Sequence, residues 1–208
     1  MKAQCRIYFD LDLTLYDTIA FMADISRRLR KLGSPQEKID EGFALLEDTG
    51  YSFEEHMRFL GLPEPVIMQE SAQLQRLLAR GSRYLLPGIS PGLTRLRKRG
   101  YEFALLTFGY PPFQQAKWDG LPGLSRRFVQ TDYVWQSKSK GDVLSEYREL
   151  PFVFCDDSPR HLLDARRKIR GSVCLIRFMW PQFDLPPHPE DGRMWQVVTS
   201  FDEFASAF

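Results

Sequence analysis

The chain has 208 residues, of which 43% are hydrophobic and 26% charged, and a formal net charge of +1. That length holds one domain with a sizeable core, or one domain with an insertion. A charge balance so close to zero gives no reason to expect nucleic acid or an anionic membrane as the main partner, and no apolar run is long enough to span a bilayer.

In chain order, the first element is a strand over residues 6–10, RIYFD, in which Ile7, Tyr8 and Phe9 read as buried. It ends on two acids, Asp10 and Asp12, and burying a charge without a partner is costly. From Tyr16 to about residue 84 the periodicity is helical and no strand signal appears. Ile19, Met22, Ile25, Leu29 and Leu32 share one helical face, and Gly33 can stop that helix. Ser34 and Pro35 suit the N-cap and first position of a second helix, which ends at Gly50. Ser52 and Glu55 have capping-box spacing for a third. PEPVIMQESAQLQRLLARG makes a fourth. After residue 84, helices and strands alternate. A helix over 90–99 leads to a strand over 102–106, a helix near 113–119 and a short strand in RRFVQTDYV. The helix SKGDVLSEYREL, the strand PFVFCDD, the helix PRHLLDARRKIRG and the strand SVCLIRF follow, with a short strand and a last helical turn in the tail. The arginine clusters lie at helix ends, where cations suit the helix dipole.

This alternation predicts an α/β core: a doubly wound, Rossmann-like parallel sheet formed by residues 1–15 and 85–208. An all-helical block, residues 16–84, is inserted after the first strand. In such sheets ligands bind beyond the carboxyl ends of the strands, which is where Asp10, Asp12, Thr107, Asp156 and Asp157 fall. Four carboxylates in one crevice repel strongly in a low dielectric, and a divalent cation with hard oxygen ligands, Mg²⁺, relieves that repulsion. A carboxylate can attack a phosphoryl group, a second can transfer protons, and a hydroxyl and an ammonium can hold the phosphoryl oxygens. The ammonium comes from Lys138 or Lys140, with Lys140 favoured because Gly141 then opens the helix. Asp156 or Asp157 can also cap the helix that follows. Asp164 reads as a solvated helix residue. His56, His161 and His188 are scattered and have no zinc-site spacing. Trp118, Trp135, Trp180 and Trp195 read as packing residues, as do Tyr16 and Phe21.

These motifs carry a resemblance. FDLDLTL resembles the first motif, D-x-D-x-T, of haloacid dehalogenase-like hydrolases. LLTFG is similar to their second motif, SKGDVL to their third and FVFCDDSPRHLLDA to their fourth, in the right order over about residues 5–180. The helical insertion resembles the helical-bundle cap of one subgroup. The resemblance implies that Asp10 is the nucleophile and a Mg²⁺ ligand. Asp12 is the general acid and base, and its backbone carbonyl reaches the metal. Thr107 holds the phosphoryl group and Lys140 steadies the nucleophile. Thr107, Phe108, Gly109 and Lys140 contact the substrate, and Asp156 and Asp157 bind Mg²⁺ directly or through water. Thr14 supports the turn after the first strand. Two positions depart from the family pattern: Leu13, where Gly or Asp is usual, and Phe108, where a small polar residue is common.

The implied activity is that of a Mg²⁺-dependent phosphatase acting on a small soluble phosphate monoester through an aspartyl-phosphate. A phosphomutase is the alternative. A dehalogenase is disfavoured because that branch lacks the second acid, Asp12, and a non-catalytic module is the least supported. Cys5, Cys155 and Cys174 are odd in number, and Cys155 and Cys174 lie in apolar runs. They are expected to be free thiols packed as small hydrophobes in a reducing compartment. The N-terminus runs straight into a strand with no apolar signal region, so the expected location is the cytoplasm.

Overall fold

The apolar runs IYF, FALL, FVFC and LIRF form the buried centres of parallel strands. The computed structural model describes residues 5–47, 50–147 and 152–208. Among them are six strands: β1 (Cys5–Phe9), β2 (Tyr101–Phe108), β3 (Gln130–Val134), β4 (Phe152–Asp156), β5 (Cys174–Phe178) and β6 (Gln196–Val198). They form one parallel sheet in the order β3-β2-β1-β4-β5-β6. Strands buried on both faces read as continuous hydrophobic runs rather than alternating ones.

Helices cover both faces. α5 (Ile89–Lys98) and α10 (Phe201–Ala207) pack Leu93, Leu96, Phe201 and Phe204 with Ile7 and Phe9. On the opposite face, α8 (Lys140–Glu146) and α9 (Pro159–Lys168) pack Val143, Leu144, Leu162 and Ala165 with Tyr8. This is the two-residue alternation of a strand expressed in three consecutive side chains. α6 (Pro111–Asp119) and α7 (Pro122–Ser125) follow β2.

Between β1 and β2 lie α1 (Thr18–Lys31), α2 (Gln36–Glu47), α3 (Phe53–Phe59) and α4 (Glu64–Leu78). Asp17 caps α1 by accepting the Ala20 N–H at 2.8 Å. α2 begins at Gln36, later than Ser34 and Pro35 suggest. Ser52 caps α3 through the Glu55 N–H, while a complete capping box forms at α8 between Ser139 and Asp142. A Cβ at Gly42 would stand 2.3 Å from the His56 ring, so only glycine lets α2 and α3 approach this closely. Two chain crossings carry the helical block. The Asp17 N–H donates to the Tyr84 carbonyl at 2.7 Å, and the Leu86 N–H donates to the Leu15 carbonyl at 3.0 Å.

The expected continuations of the second helix through Asp48 and Thr49, and of the helix after Lys140 through Arg148 to Leu150, lie outside the described residues. Cys155 is buried, but Cys174 is exposed, contrary to its expected packing, because burial in β5 starts one residue later. Trp118, Trp180 and Trp195 are buried as expected, whereas Trp135 is half-buried and lines a groove. No described helix is long and apolar enough to cross a membrane.

Candidate active site

The sheet order changes direction around β1, and the crevice opens there, between the ends of β1, β2 and β4. Phe9 is in register with Leu105 on one side and Cys155 on the other. The Asp10 N–H donates to the Cys155 carbonyl at 2.9 Å, which fixes the first acid beside Asp156. A tight turn follows, with the Leu15 and Tyr16 N–H groups both donating to the Leu11 carbonyl. Leu13 occupies that turn at φ +54°, a left-handed conformation that costs a non-glycine residue about 1–2 kcal/mol. The turn sends Asp10 and Asp12 to different partners.

Asp10 and Asp156 share one ammonium. Lys140 Nζ lies 2.7 Å from Asp10 and 2.7 Å from Asp156, and its side chain is fully buried. Lys138, by contrast, is exposed and pairs with Glu146 at 3.6 Å, so Lys140 is the lysine of the crevice. It enters from the first turn of α8, which Gly141 lets settle against α9. The Gly141 N–H donates to Asp164 Oδ2 at 3.0 Å, and a Cβ there would meet the Asp164 backbone at 2.9 Å. Asp164 is therefore a structural acceptor, also 3.2 Å from Lys168, rather than a solvated residue. Asp156 also accepts the Ser158 N–H at 2.9 Å and faces His161 Nδ1 at 3.2 Å. Ser158, not an acid, is the N-cap of α9, which has no side-chain cap hydrogen bond, so Asp156 is a crevice acid that holds the entry to the helix rather than its cap.

Burial opposes Lys140's charge, but the two carboxylates outweigh it and hold the ammonium well above its ordinary range. Burial likewise opposes charge on Asp156, and Lys140 and His161 more than compensate, keeping it ionised. Asp10 is pushed up to about 6, by burial first, with Lys140 lowering it and Asp156 and Asp12 raising it. Burial, then Asp156 and Asp10, push Asp157 well above the carboxylate range. Oxygens of Asp10, Asp156 and Asp157 lie within 4.8 Å of one another. This hard-oxygen set carries more negative charge than Lys140 balances, and it fits Mg²⁺.

The carboxylate of Asp12 lines the same cavity but is not part of that set. Lys117 Nζ donates to its two oxygens at 2.5 and 2.7 Å, Gln114 Nε2 at 2.9 Å and Thr18 Oγ1 at 2.5 Å. Burial raises Asp12, but Lys117 and these hydrogen bonds bring it below the ordinary carboxylate value. Lys117 itself is buried and sits 5.4 Å from the Phe113 ring centre and 5.7 Å from that of Tyr16. Ring faces of this kind attract a cation. Thr107 is fully buried, and its hydroxyl donates to Gln114 Oε1 at 3.4 Å. The Gly109 N–H is spent on the Val134 carbonyl at 3.0 Å. Phe108 and Gly109 line the wall of a cavity of about 590 Å³ that reaches Asp10, Asp12, Lys140 and Asp157.

No protein-family model matches the chain, and no curated protein matches it. Solved structures do. A haloacid dehalogenase-like hydrolase from Burkholderia xenovorans LB400 aligns with a TM-score of 0.72 at 19% identity, over 98% of this chain and 96% of its own. The fold is that of the haloacid dehalogenase-like hydrolases. The magnesium-bound hydrolase YfnB of Bacillus subtilis aligns at 0.64 with 14% identity, over 99% of both chains. A dehalogenase aligns at 0.67 with 15% identity, over 100% of this chain and 98% of its own. On this fold, the expected residues Asp10, Asp12, Lys140, Asp156 and Asp157 meet in one crevice, with Thr107 behind Gln114.

Sequence reasoning missed four contacting residues: Thr18, Gln114, Lys117 and His161. Gln114 and Lys117 are three apart on α6, and a polar pair at that spacing just after a strand that feeds the crevice was the available signal. Thr18 and His161 had none beyond lying within six residues of an expected acid.

Proposed function

We propose that the protein is a Mg²⁺-dependent phosphatase that hydrolyses a small phosphate monoester through an aspartyl-phosphate on Asp10. One observation carries this reading: Asp10 faces an open cavity while Lys140 ties it to Asp156, with Asp157 in the same oxygen group. An Asp10 oxygen attacks phosphorus, the phosphorus–oxygen bond to the leaving group breaks, and the leaving oxygen takes a proton relayed from solvent through Asp12. Water then attacks the same phosphorus, the bond to Asp10 breaks, and inorganic phosphate leaves. Asp10, Asp156 and Asp157 would hold Mg²⁺, which would supply positive charge to the phosphoryl oxygens. The Lys140 ammonium, 2.7 Å from Asp10 and Asp156, adds positive charge beside the nucleophile. Asp12, kept as a carboxylate by Lys117, Gln114 and Thr18, is suited to take the proton of the attacking water. Residues 16–84 act as a cap over the cavity, where Phe21, Phe43 and Tyr51 exclude bulk water.

The test is hydrolysis of 4-nitrophenyl phosphate by the full chain with Mg²⁺ and with a chelator. Turnover is expected only with Mg²⁺, and Asp10→Asn is expected to lower kcat by at least about a thousandfold. An Asp10→Asn protein that keeps the wild-type rate ends the aspartyl-phosphate reading.

A further inference from the structure

We infer that the substrate's leaving group carries a flat, uncharged aromatic ring, housed in the cavity between the helical block and the sheet. This rests on the phosphatase reading above. The walls of that cavity come from Phe21, Met22, Phe43, Leu46, Tyr51 and Phe113. Four of these are rings in a continuous row. Phe21 and Phe113 have centroids 6.0 Å apart, Phe113 and Tyr51 5.0 Å, and Tyr51 and Phe43 5.4 Å. Aromatic pairs at such separations gain from offset and edge-to-face contact, and a planar guest can extend the row. The volume of about 590 Å³ is that of a small-molecule pocket and suits one or two rings beside a phosphoryl group.

Among the described residues, the polar side chains on the helical-block side of the cavity, Thr18 and Tyr51, are already committed. Thr18, Gln114 and Lys117 donate to Asp12, and Lys140 is held by Asp10 and Asp156. The Tyr51 hydroxyl pairs with His56 Nδ1 at 3.0 Å. Among the described residues, no cation lines the helical-block side. Among the described residues on that side, a sugar would give up water at each hydroxyl and find no uncommitted polar side chain, and an anionic group would find no counter-ion. An aromatic ring loses nothing and buries its surface.

A second, larger groove of about 960 Å³ runs from Phe108 and His161 along Trp135, Lys138, Arg160 and Arg167. It is the place a nucleotide or other anionic leaving group would take. The experiment therefore has to separate the two directions.

Benzyl phosphate, glucose 6-phosphate and adenosine 5′-monophosphate all release a primary alcohol, so intrinsic reactivity does not bias the comparison. With the full chain and Mg²⁺, kcat/KM for benzyl phosphate is expected to exceed the other two by about a hundredfold. Binding of 2-naphthol, followed by its fluorescence, supplies a readout that needs no turnover. Met22→Lys is expected to weaken naphthol binding by about tenfold, as a charge placed on an apolar wall. Ala44→Lys, at an exposed wall position that tolerates a long side chain, should do the same. Glucose 6-phosphate or the nucleotide matching or beating benzyl phosphate overturns the inference and leaves the phosphatase reading standing. Absence of all turnover, with naphthol bound and both variants weakened, ends the phosphatase reading and supports the aromatic site. No naphthol binding by the wild-type chain overturns the inference.

Discussion

Replacing Lys140 with methionine removes the ammonium that sits 2.7 Å from both Asp10 and Asp156, and leaves two buried carboxylates facing each other. Breaking a buried ion pair from one side costs about 3–5 kcal/mol. Lys140→Met should lose that much stability in urea unfolding with a chelator present. Lys138→Met, which loses an exposed 3.6 Å pair with Glu146, should stay within about 0.5 kcal/mol of wild type. Equal losses would put the crevice lysine in the wrong place. Lys117→Met tests the other acid. Asp12 is held low against its burial chiefly by Lys117, so removing that charge raises it. If Asp12 must be ionised to accept the water proton, the acid limb of the kcat/KM profile moves to higher pH in Lys117→Met, and a profile that stays put separates Lys117 from the chemistry. The acids themselves were legible in the sequence, because carboxylates at the ends of apolar strands need an explanation. Lys117 was not, because a lysine in a helix reads as solvated until the helix is placed, and α6 turns this one onto Asp12 between the Phe113 and Tyr16 rings.

Elements were easier to read than contacts between them. The strands announce themselves because a sheet covered on both faces has room only for apolar side chains, and β2 runs on to Phe108 through the Thr107 already singled out. The approach of α2 to α3 left a fainter trace, Gly42 within an otherwise ordinary helical pattern, and nothing in the sequence says that His56 fills the space. His56 is fully buried in the folded chain, and burial pushes its imidazole down to about 4 from an ordinary 6.5. The unfolded chain therefore binds a proton between pH 6.5 and 4 that the folded chain refuses. Stability from this group is full above about pH 6.5 and is lost as pH falls toward 4, by on the order of 2 kcal/mol. His56→Gln should flatten that part of the stability curve measured by denaturant unfolding at pH 7 and pH 4.5. An unchanged slope would mean that other groups carry it.

At the scale of the whole molecule, the change from helical to alternating periodicity marks where the inserted block ends, but not how it is joined to the sheet. One apolar cluster runs from Phe9 through Leu11, Leu15, Tyr16 and Phe21 to Ile25 and Phe53. In the sequence the stretch after the first strand reads as a turn, with Tyr16 as a packing residue, and the burial of Leu11 and Leu15 shows only once the distant helices of the same cluster are in place. A continuous core couples the crevice to the stability of the chain as a whole, so a ligand that binds only the folded crevice should raise a single melting transition. With Mg²⁺ at a hundred times its Kd the gain is about 2.7 kcal/mol. Asp157→Ala should abolish the Mg²⁺-induced rise in Tm, because Asp157 belongs to the oxygen group with Asp10 and Asp156. Asp164→Ala should lower Tm with or without Mg²⁺, because it removes the acceptor of the Gly141 N–H, which ties α8 to α9. It should nevertheless keep the shift, because Asp164 contributes no oxygen to the group. Thermal melts of the three proteins, each with Mg²⁺ and with chelator, separate the two acids. A shift that survives in Asp157→Ala and disappears in Asp164→Ala would move the metal from the end of β4 to the α8–α9 contact.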